Sequence, residues 1–189
     1  GLDLLMRRAV AYNALGDPRA REKCLCLKSC SQTCRVLALA QRYPGARFVY
    51  VHRHPYAVYR SMMPHLRSWD LQTTMDDADD KTLREATLEW YSWFLQSYLE
   101  QRAALPQGTR LIEISYDELT HDTEGTMLRV FSVMGIPVDR AALSAHCEGL
   151  RGYRRNAHPP LSAAEKALVR ERWAAAFEAF GYSTEEDGR

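Results

Sequence analysis

Long hydrophobic runs and an excess of charge of either sign are both missing from this 189-residue chain. Its longest apolar stretches have the length of a strand, well short of the roughly 20 residues that a helix needs to span a bilayer. No basic segment followed by an apolar one opens the sequence, so no secretory signal is indicated. The 25 Lys and Arg residues nearly balance the 24 Asp and Glu residues, which gives no general attraction for nucleic acid or anionic lipid. We expect a cytoplasmic protein without a membrane span, in which anion specificity is local.

Paired Cys-x-x-Cys knuckles are also missing, although Cys24, Cys26, Cys30 and Cys34 lie close together in the sequence. Their spacing does not match that of a structural zinc site. Because Cys24 and Cys26 alternate with leucines, they are expected on one face of a strand as small, buried, reduced residues. The acidic run at residues 76–80 lacks the glycine of a calcium loop and is typical of a helix start. We therefore expect no metal site.

The most informative segment is a predicted strand, turn and helix at residues 47–66. Residues 47–52 are rich in β-branched and aromatic side chains, Arg53 follows them, and Pro55 stands where a helix should begin;. The free N–H groups at the start of a helix favour an anion. Arg53 adds a planar set of donors at the carboxyl edge of the sheet, and Ser61 lies further along the helix. This arrangement predicts a phosphate site.

The remaining patterns predict an alternation of strands and helices in one domain, residues 1–189. Alternating elements with short connections indicate a parallel sheet covered by helices, an α/β fold. Strands are expected at residues 23–28, 47–52 and 110–115, and helices at residues 2–15, 33–42, 55–66, 81–104, 124–134, 139–146 and 161–180. The helix at 81–104 carries an apolar stripe, which is formed by Leu83, Thr87, Trp90, Tyr91, Phe94, Leu95 and Tyr98;.

Three blocks of the sequence, in the right order, resemble the sulfotransferases that use 3′-phosphoadenylyl sulfate. The central block, within residues 27–61, includes Leu27-Lys28-Ser29, Arg35-Val36-Leu37, Tyr43-Pro44-Gly45-Ala46-Arg47-Phe48, His52-Arg53-His54-Pro55 and Ser61. The second block, residues 115–137, is similar to the family's Tyr-Glu-Asp-Leu element and its Leu-Gly-Leu-Pro helix end. The third block runs from His158-Pro159-Pro160-Leu161-Ser162 to Phe180-Gly181-Tyr182.

This resemblance implies a fold, a reaction and a set of ligand contacts. The fold is a three-layer parallel sheet like that of the P-loop nucleoside-triphosphate hydrolases. The reaction is transfer of a sulfuryl group from 3′-phosphoadenylyl sulfate to a hydroxyl or amine acceptor, without a metal. By the same resemblance, Arg53 and Ser61 hold the 3′-phosphate of this cofactor, Tyr116 contacts the cofactor, and Arg154 and Arg155 lie in the loop that closes over the nucleotide.

The sequence also departs from the family. Gln32 stands where many relatives have a histidine, and His65 stands where the protein-tyrosine branch has an arginine. Nothing in the sequence resembles the Gly-rich loop that holds the 5′-phosphosulfate, and we expect that loop to precede Gly1. An alternative interpretation is therefore a truncated or degenerate member that binds nucleotide without catalysis. A P-loop kinase relative would need Walker residues, which are not visible.

The base that takes the proton of the acceptor is left open by the sequence. His52, His54 and His65 are predicted near the site, and histidine titrates near neutrality. Each of them has the alternative of a hydrogen-bonded structural residue. Glu89 is a further candidate base, and Lys28 is expected either to approach the sulfuryl group or to cap a turn.

Overall fold

The computed structural model describes residues 2–17, 19, 23–73, 78–154 and 156–186, with only the backbone described at 69–73. The chain divides into two compact units, Gly1–Ser31 and Gln32–Arg189. The single domain expected for residues 1–189 stays a prediction. None of the described helices is both long enough and apolar enough to cross a bilayer.

The first unit contains helix α1 (Leu2–Gly16), which begins and ends close to its predicted limits and has no buried residue. The prediction of a strand at residues 23–28 is wrong, because these residues have no regular structure and their side chains are exposed. Cys24 and Cys26 are exposed free thiols rather than buried residues. Alternation of small and apolar side chains favours a strand only where one face is buried, and here neither face is.

The second unit carries the sheet and the other helices. A 3-10 helix (Cys30–Arg35) leads directly into α2 (Val36–Arg42), so the helix predicted at 33–42 begins with tighter turns and has no serine cap. The elements that follow are β1 (Arg47–His52), α3 (Pro55–Thr73), α4 (Asp80–Ala103), β2 (Arg110–Ser115), α5 (Tyr116–His121), α6 (Thr123–Met134), α7 (Arg140–Leu150), α8 (Ala163–Arg172) and α9 (Ala174–Phe180).

The two strands pair in parallel, residue for residue, from Arg47 with Arg110 to His52 with Ser115. On one face of this sheet, Tyr50 stacks on Tyr98 of α4 with ring centres 3.8 Å apart. On the other face, residues of β2 and α6 form a small core of Ile112, Ile114, Val130 and Met134. Helices therefore pack against both faces of a parallel sheet, which confirms the α/β class, although Val49 and Val51 of β1 are exposed. Two of the three predicted strands form that sheet within the described residues.

The main core lies between α3, α4, α8 and α9. Trp173 is 1% exposed and its indole N–H donates to the carbonyl of Leu88 at 3.0 Å. Its backbone leaves the helical region (φ −117°) and divides the helix predicted at 161–180 into α8 and α9. The apolar stripe of α4 is buried at most predicted positions, but Trp90 is 45% exposed. Trp90 therefore lies at the margin of the stripe, which corrects its predicted placement.

Candidate anion site at the sheet edge

The register of the sheet brings two predicted site residues together. Because His52 pairs with Ser115, the residues that follow them, Arg53 and Tyr116, leave the carboxyl ends of neighbouring parallel strands. The guanidinium carbon of Arg53 lies 4.7 Å from the centre of the Tyr116 ring, within the range of a cation–π contact. Both side chains are half-buried. A cation thus lies against an aromatic ring at the edge where ligands of open α/β sheets bind.

The start of α3 is the second component of the site. Pro55 is the first residue of this 19-residue helix, a position where the missing N–H of proline costs nothing. Arg53 therefore lies two residues before the partial positive charge of a helix start, which favours an anion, although Pro55 has no N–H and the N–H of Tyr56 is donated to His54;. Ser61 is half-buried on the same helix, about 9 Å further along its axis. The elements that carry Arg53 and Ser61 are those that the sequence predicts.

The segment from His52 to Tyr56, which we call the turn and which carries Arg53, is held by a segment from the other end of the chain. The residues that follow α9 bind residues on both sides of Arg53. The three hydrogen bonds join His52 Nδ1 to the Tyr182 hydroxyl at 2.7 Å, His54 Nε2 to the Ser183 carbonyl at 3.0 Å, and the Tyr56 hydroxyl to the Thr184 carbonyl at 3.1 Å. Sequence reasoning missed these contacts, although it singled out the Phe180-Gly181-Tyr182 motif.

His54 is locked as a neutral ring by its partners. It is 2% exposed. Its Nδ1 accepts the backbone N–H of Tyr56 at 3.3 Å, and its Nε2 therefore carries the hydrogen that is donated to Ser183;. Burial lowers the pKa of His54 from its ordinary value. Because both ring nitrogens are engaged, the geometry favours the structural interpretation of His54 over that of a base.

His52 occupies a similar aromatic environment. Its ring stacks on Phe180 with centres 4.3 Å apart and an angle of 9° between the planes. Burial lowers the pKa of His52, although the carboxylates of Glu113, Glu118 and Asp117 oppose that shift. Its bond to the hydroxyl of Tyr182 leaves the tautomer of His52 open, since a hydroxyl both donates and accepts.

Carboxylates share this edge of the sheet with Arg53. Glu118 accepts the backbone N–H of Ser115 at 2.8 Å and pairs with Arg129 at 3.0 Å, and the bond from Ser115 is the main reason that the pKa of Glu118 is lowered. Burial, and then the charges of Asp117 and Glu118, raise the pKa of Tyr182, whereas Arg53 lowers it. The edge therefore combines both signs of charge, and the carboxylate of Glu118 is already paired.

The remaining candidate residues are exposed wherever the structure describes them. Arg154 is exposed in the segment between α7 and α8, and Arg155 lies outside the described residues, so both stay predictions. His65 is exposed on α3 and Glu89 is exposed on α4, while Lys28 belongs to the first unit. Over the part of the chain that the structure describes, no cluster of three or more His, Cys, Asp or Glu side chains is arranged to hold a metal ion.

Comparison with known proteins agrees with the family resemblance of the sequence. A family model described as "Sulfotransferase family" matches residues 4–140, which is most of the chain. Two relatives, from Mycobacterium bovis and Mycobacterium tuberculosis, are both named omega-hydroxy-beta-dihydromenaquinone-9 sulfotransferase Stf3. Each is 29% identical over 177 residues, which cover 86% of this chain and 42% of the relative.

A solved structure shows the same fold. The chain superposes on sulfotransferase STF9 from Mycobacterium avium with a TM-score of 0.69 and 19% identity. The match covers 84% of this chain and 42% of STF9. The chain therefore spans about two fifths of the length of the relatives that it matches.

Proposed function

The chain belongs to the sulfotransferase family, and from that premise we propose that it binds 3′-phosphoadenylyl sulfate at the sheet edge and takes part in sulfuryl transfer to a hydroxyl-bearing acceptor. The observation that carries this proposal is the position of Arg53, against Tyr116 at 4.7 Å and two residues before the start of α3. A guanidinium group and helix N–H groups are the donors that a phosphate monoester prefers.

The residues at the edge fit the 3′-phosphate end of this donor. Arg53 would bind the phosphate through charge-assisted hydrogen bonds, and the hydroxyl of Ser61 would add a neutral one. The ring of Tyr116 keeps the guanidinium against the sheet. Arg154 and Arg155 are proposed to approach the same nucleotide from the segment between α7 and α8.

The bound donor would supply the sulfuryl group. A bond forms between sulfur and the acceptor oxygen, the bond from sulfur to the 5′-phosphate oxygen breaks, the proton of the acceptor passes to a base, and adenosine 3′,5′-bisphosphate is released. Catalysis of such transfers rests on positioning and on neutralisation of developing charge. The contribution proposed for Arg53 and Ser61 is to position the nucleotide.

A hydroxyl acceptor is preferred to an amine because of the relatives. Both curated relatives are named for an omega-hydroxy-menaquinone, which is a hydroxyl-bearing molecule. The second candidate function is nucleotide binding without transfer. An assay of sulfate release or transfer from the donor separates the two functions.

The binding site is tested by thermal unfolding with increasing adenosine 3′,5′-bisphosphate, because a ligand that binds only the folded state raises the melting temperature. We expect Arg53→Ala to weaken binding by about one to two orders of magnitude, since a charge-assisted hydrogen bond contributes about 1.5–3 kcal/mol. Arg47→Ala is the matched control, because it removes the same charge from the opposite end of β1 and should leave binding unchanged.

Two results would contradict the proposal. A folded wild-type protein with no thermal shift at millimolar bisphosphate would exclude a donor site at this edge. Equal weakening by the two arginine substitutions would show that only net charge matters.

Ser61→Ala should weaken binding by about fivefold, the loss that is typical of one neutral hydrogen bond, and an unchanged affinity would remove Ser61 from the site.

A further inference from the structure

We propose that residues 181–184, which we call the strap, form a positioning element of the donor site. By binding side chains on both sides of Arg53, the strap keeps Arg53 where the 3′-phosphate binds. This inference rests on the proposed function and assigns a role to a segment beyond residues 4–140, the part that the family model matches.

The strap is anchored at its base in the main core. Gly181 ends α9 in the left-handed region (φ 67°), which glycine adopts without strain;. The backbone N–H groups of Gly181 and Tyr182 both donate to the carbonyl of Phe177, and Phe177 is a buried residue of the main core. The direction of the strap is therefore set by the packing of α9.

The strap meets the turn in a one-to-one pattern. Successive strap residues bind alternate residues of the turn, in the order Tyr182 to His52, Ser183 to His54 and Thr184 to Tyr56. Arg53 lies between the first two of these anchored positions. In extended backbone, side chains alternate from side to side, so His52 and His54 share the strap side while Arg53 contacts Tyr116.

Ring packing reinforces the three hydrogen bonds. The ring of His54 lies 5.1 Å from that of Tyr182 and 5.6 Å from that of Phe177. His52 stacks on Phe180 at 4.3 Å. A shift of the turn relative to α9 must break these contacts together, because aromatic pairs have preferred geometries.

Positioning of this kind changes the affinity by changing the fraction of molecules in which the site is ready to bind. If the turn is ordered in only a fraction of molecules, the apparent dissociation constant rises by the inverse of that fraction. Loosening the strap should therefore weaken nucleotide binding in a protein that is still folded. If the strap served only stability, loosening it would lower the melting temperature and leave the affinity of the folded protein unchanged.

The test is the double variant Tyr56→Phe/Tyr182→Phe, which removes two strap hydrogen bonds and keeps both rings. We expect the dissociation constant for adenosine 3′,5′-bisphosphate, measured by calorimetry, to rise on the order of tenfold. Tyr98→Phe is the matched control, since it removes a tyrosine hydroxyl bonded to Glu113 at 2.6 Å, which is outside the strap. Tyr98→Phe should lower the melting temperature and leave the dissociation constant unchanged.

A double-mutant cycle shows whether the strap acts through Arg53. In an Arg53→Ala background, the strap substitutions should have almost no further effect on binding. An unchanged affinity in the double variant, or full additivity with Arg53→Ala, would overturn the inference while leaving the donor site intact. A wild-type protein that does not bind the bisphosphate would overturn both. If the double variant is unfolded at the assay temperature, Tyr182→Phe decides by the same criteria.

Discussion

The two strand–helix junctions at the carboxyl edge of the sheet are held in different ways. After β2, the side chain of Ser115 accepts the N–H of Glu118 at 3.0 Å, and the side chain of Glu118 accepts the N–H of Ser115 at 2.8 Å. This capping box joins residues three apart. After β1, by contrast, the turn around Arg53 is held by residues about 130 positions later in the chain.

This difference shows where binding is coupled to folding. The β2 junction forms from its own residues, so it presents Tyr116 wherever β2 and α5 exist. The β1 junction is complete only when α9 is packed and the strap has returned to the sheet. The residue proposed to bind phosphate therefore lies on the junction that depends on tertiary structure, and we expect ligand binding to stabilise the whole second unit.

Of the substitutions that separate the two junctions, His54→Ala should lower the free energy of unfolding most. It removes a 2% exposed ring with two hydrogen bonds, so the loss includes a cavity and leaves the buried N–H of Tyr56 without its partner;. We expect the free energy of unfolding, measured with urea, to fall by about 2–4 kcal/mol.

His65→Ala is the control for that substitution, because His65 is exposed on α3, the helix that follows the same turn. It should change the free energy of unfolding by no more than about 0.5 kcal/mol. Similar losses for His54→Ala and His65→Ala would mean that the tertiary contacts of the β1 junction contribute nothing measurable.

Ser115→Ala should have a smaller effect, because it breaks only the local capping box. Loss of a serine cap costs about 1 kcal/mol. Ser162→Ala, which breaks a second capping box at the start of α8, should cost a similar amount in the same urea experiment. A loss at Ser115 as large as that of His54→Ala would show that the β2 junction is not local.

The same distinction explains what the sequence could predict. Helix ends that depend on a single residue were predicted well, as at Pro55, Gly135 and Gly181, because proline and glycine restrict or permit specific backbone angles;. The two paired strands were predicted because their apolar patterns are long and are bounded by turn residues. The elements that carry Arg53 and Ser61 were therefore predicted from local signals and from the family resemblance, whereas the helix that begins at Tyr116 was not predicted.

Three of the failures depend on burial by distant residues. The predicted strand at 23–28 has side chains that would suit a strand, but nothing buries them. The break at Trp173 follows from the insertion of its indole beside Leu88, which is 85 residues away in the sequence. The strap contacts were missed for the same reason, since no local pattern shows which ring His52 or His54 will meet.

Acidification should lower the free energy of unfolding least. As pH falls, it should destabilise the β1 junction before the β2 junction. Burial lowers the pKa values of His52 and His54 below the ordinary value of 6.5. The charged groups around these rings do not reverse that shift: Glu113, Glu118 and Asp117 act on His52, and Asp117, Glu186 and Arg60 act on His54. The unfolded chain therefore binds more protons. The free energy of unfolding should fall as pH decreases from 6.5 towards the lower pKa values of the folded state;.

The β2 junction should respond at lower pH, because the pKa of Glu118 is lowered from 4.5, chiefly by its bond from the backbone of Ser115. Its contribution is present above pH 4.5 and is lost as pH falls through the folded-state value;. Urea unfolding at a series of pH values should therefore show two separate declines, and Glu118→Gln, which removes the titrating carboxylate, should diminish only the lower one. Histidine ring signals followed by NMR, assigned with His52→Gln, provide the direct check. Titration of either buried ring at or above pH 6.5 would contradict the predicted order, because the strap would then be binding charged rather than neutral imidazoles.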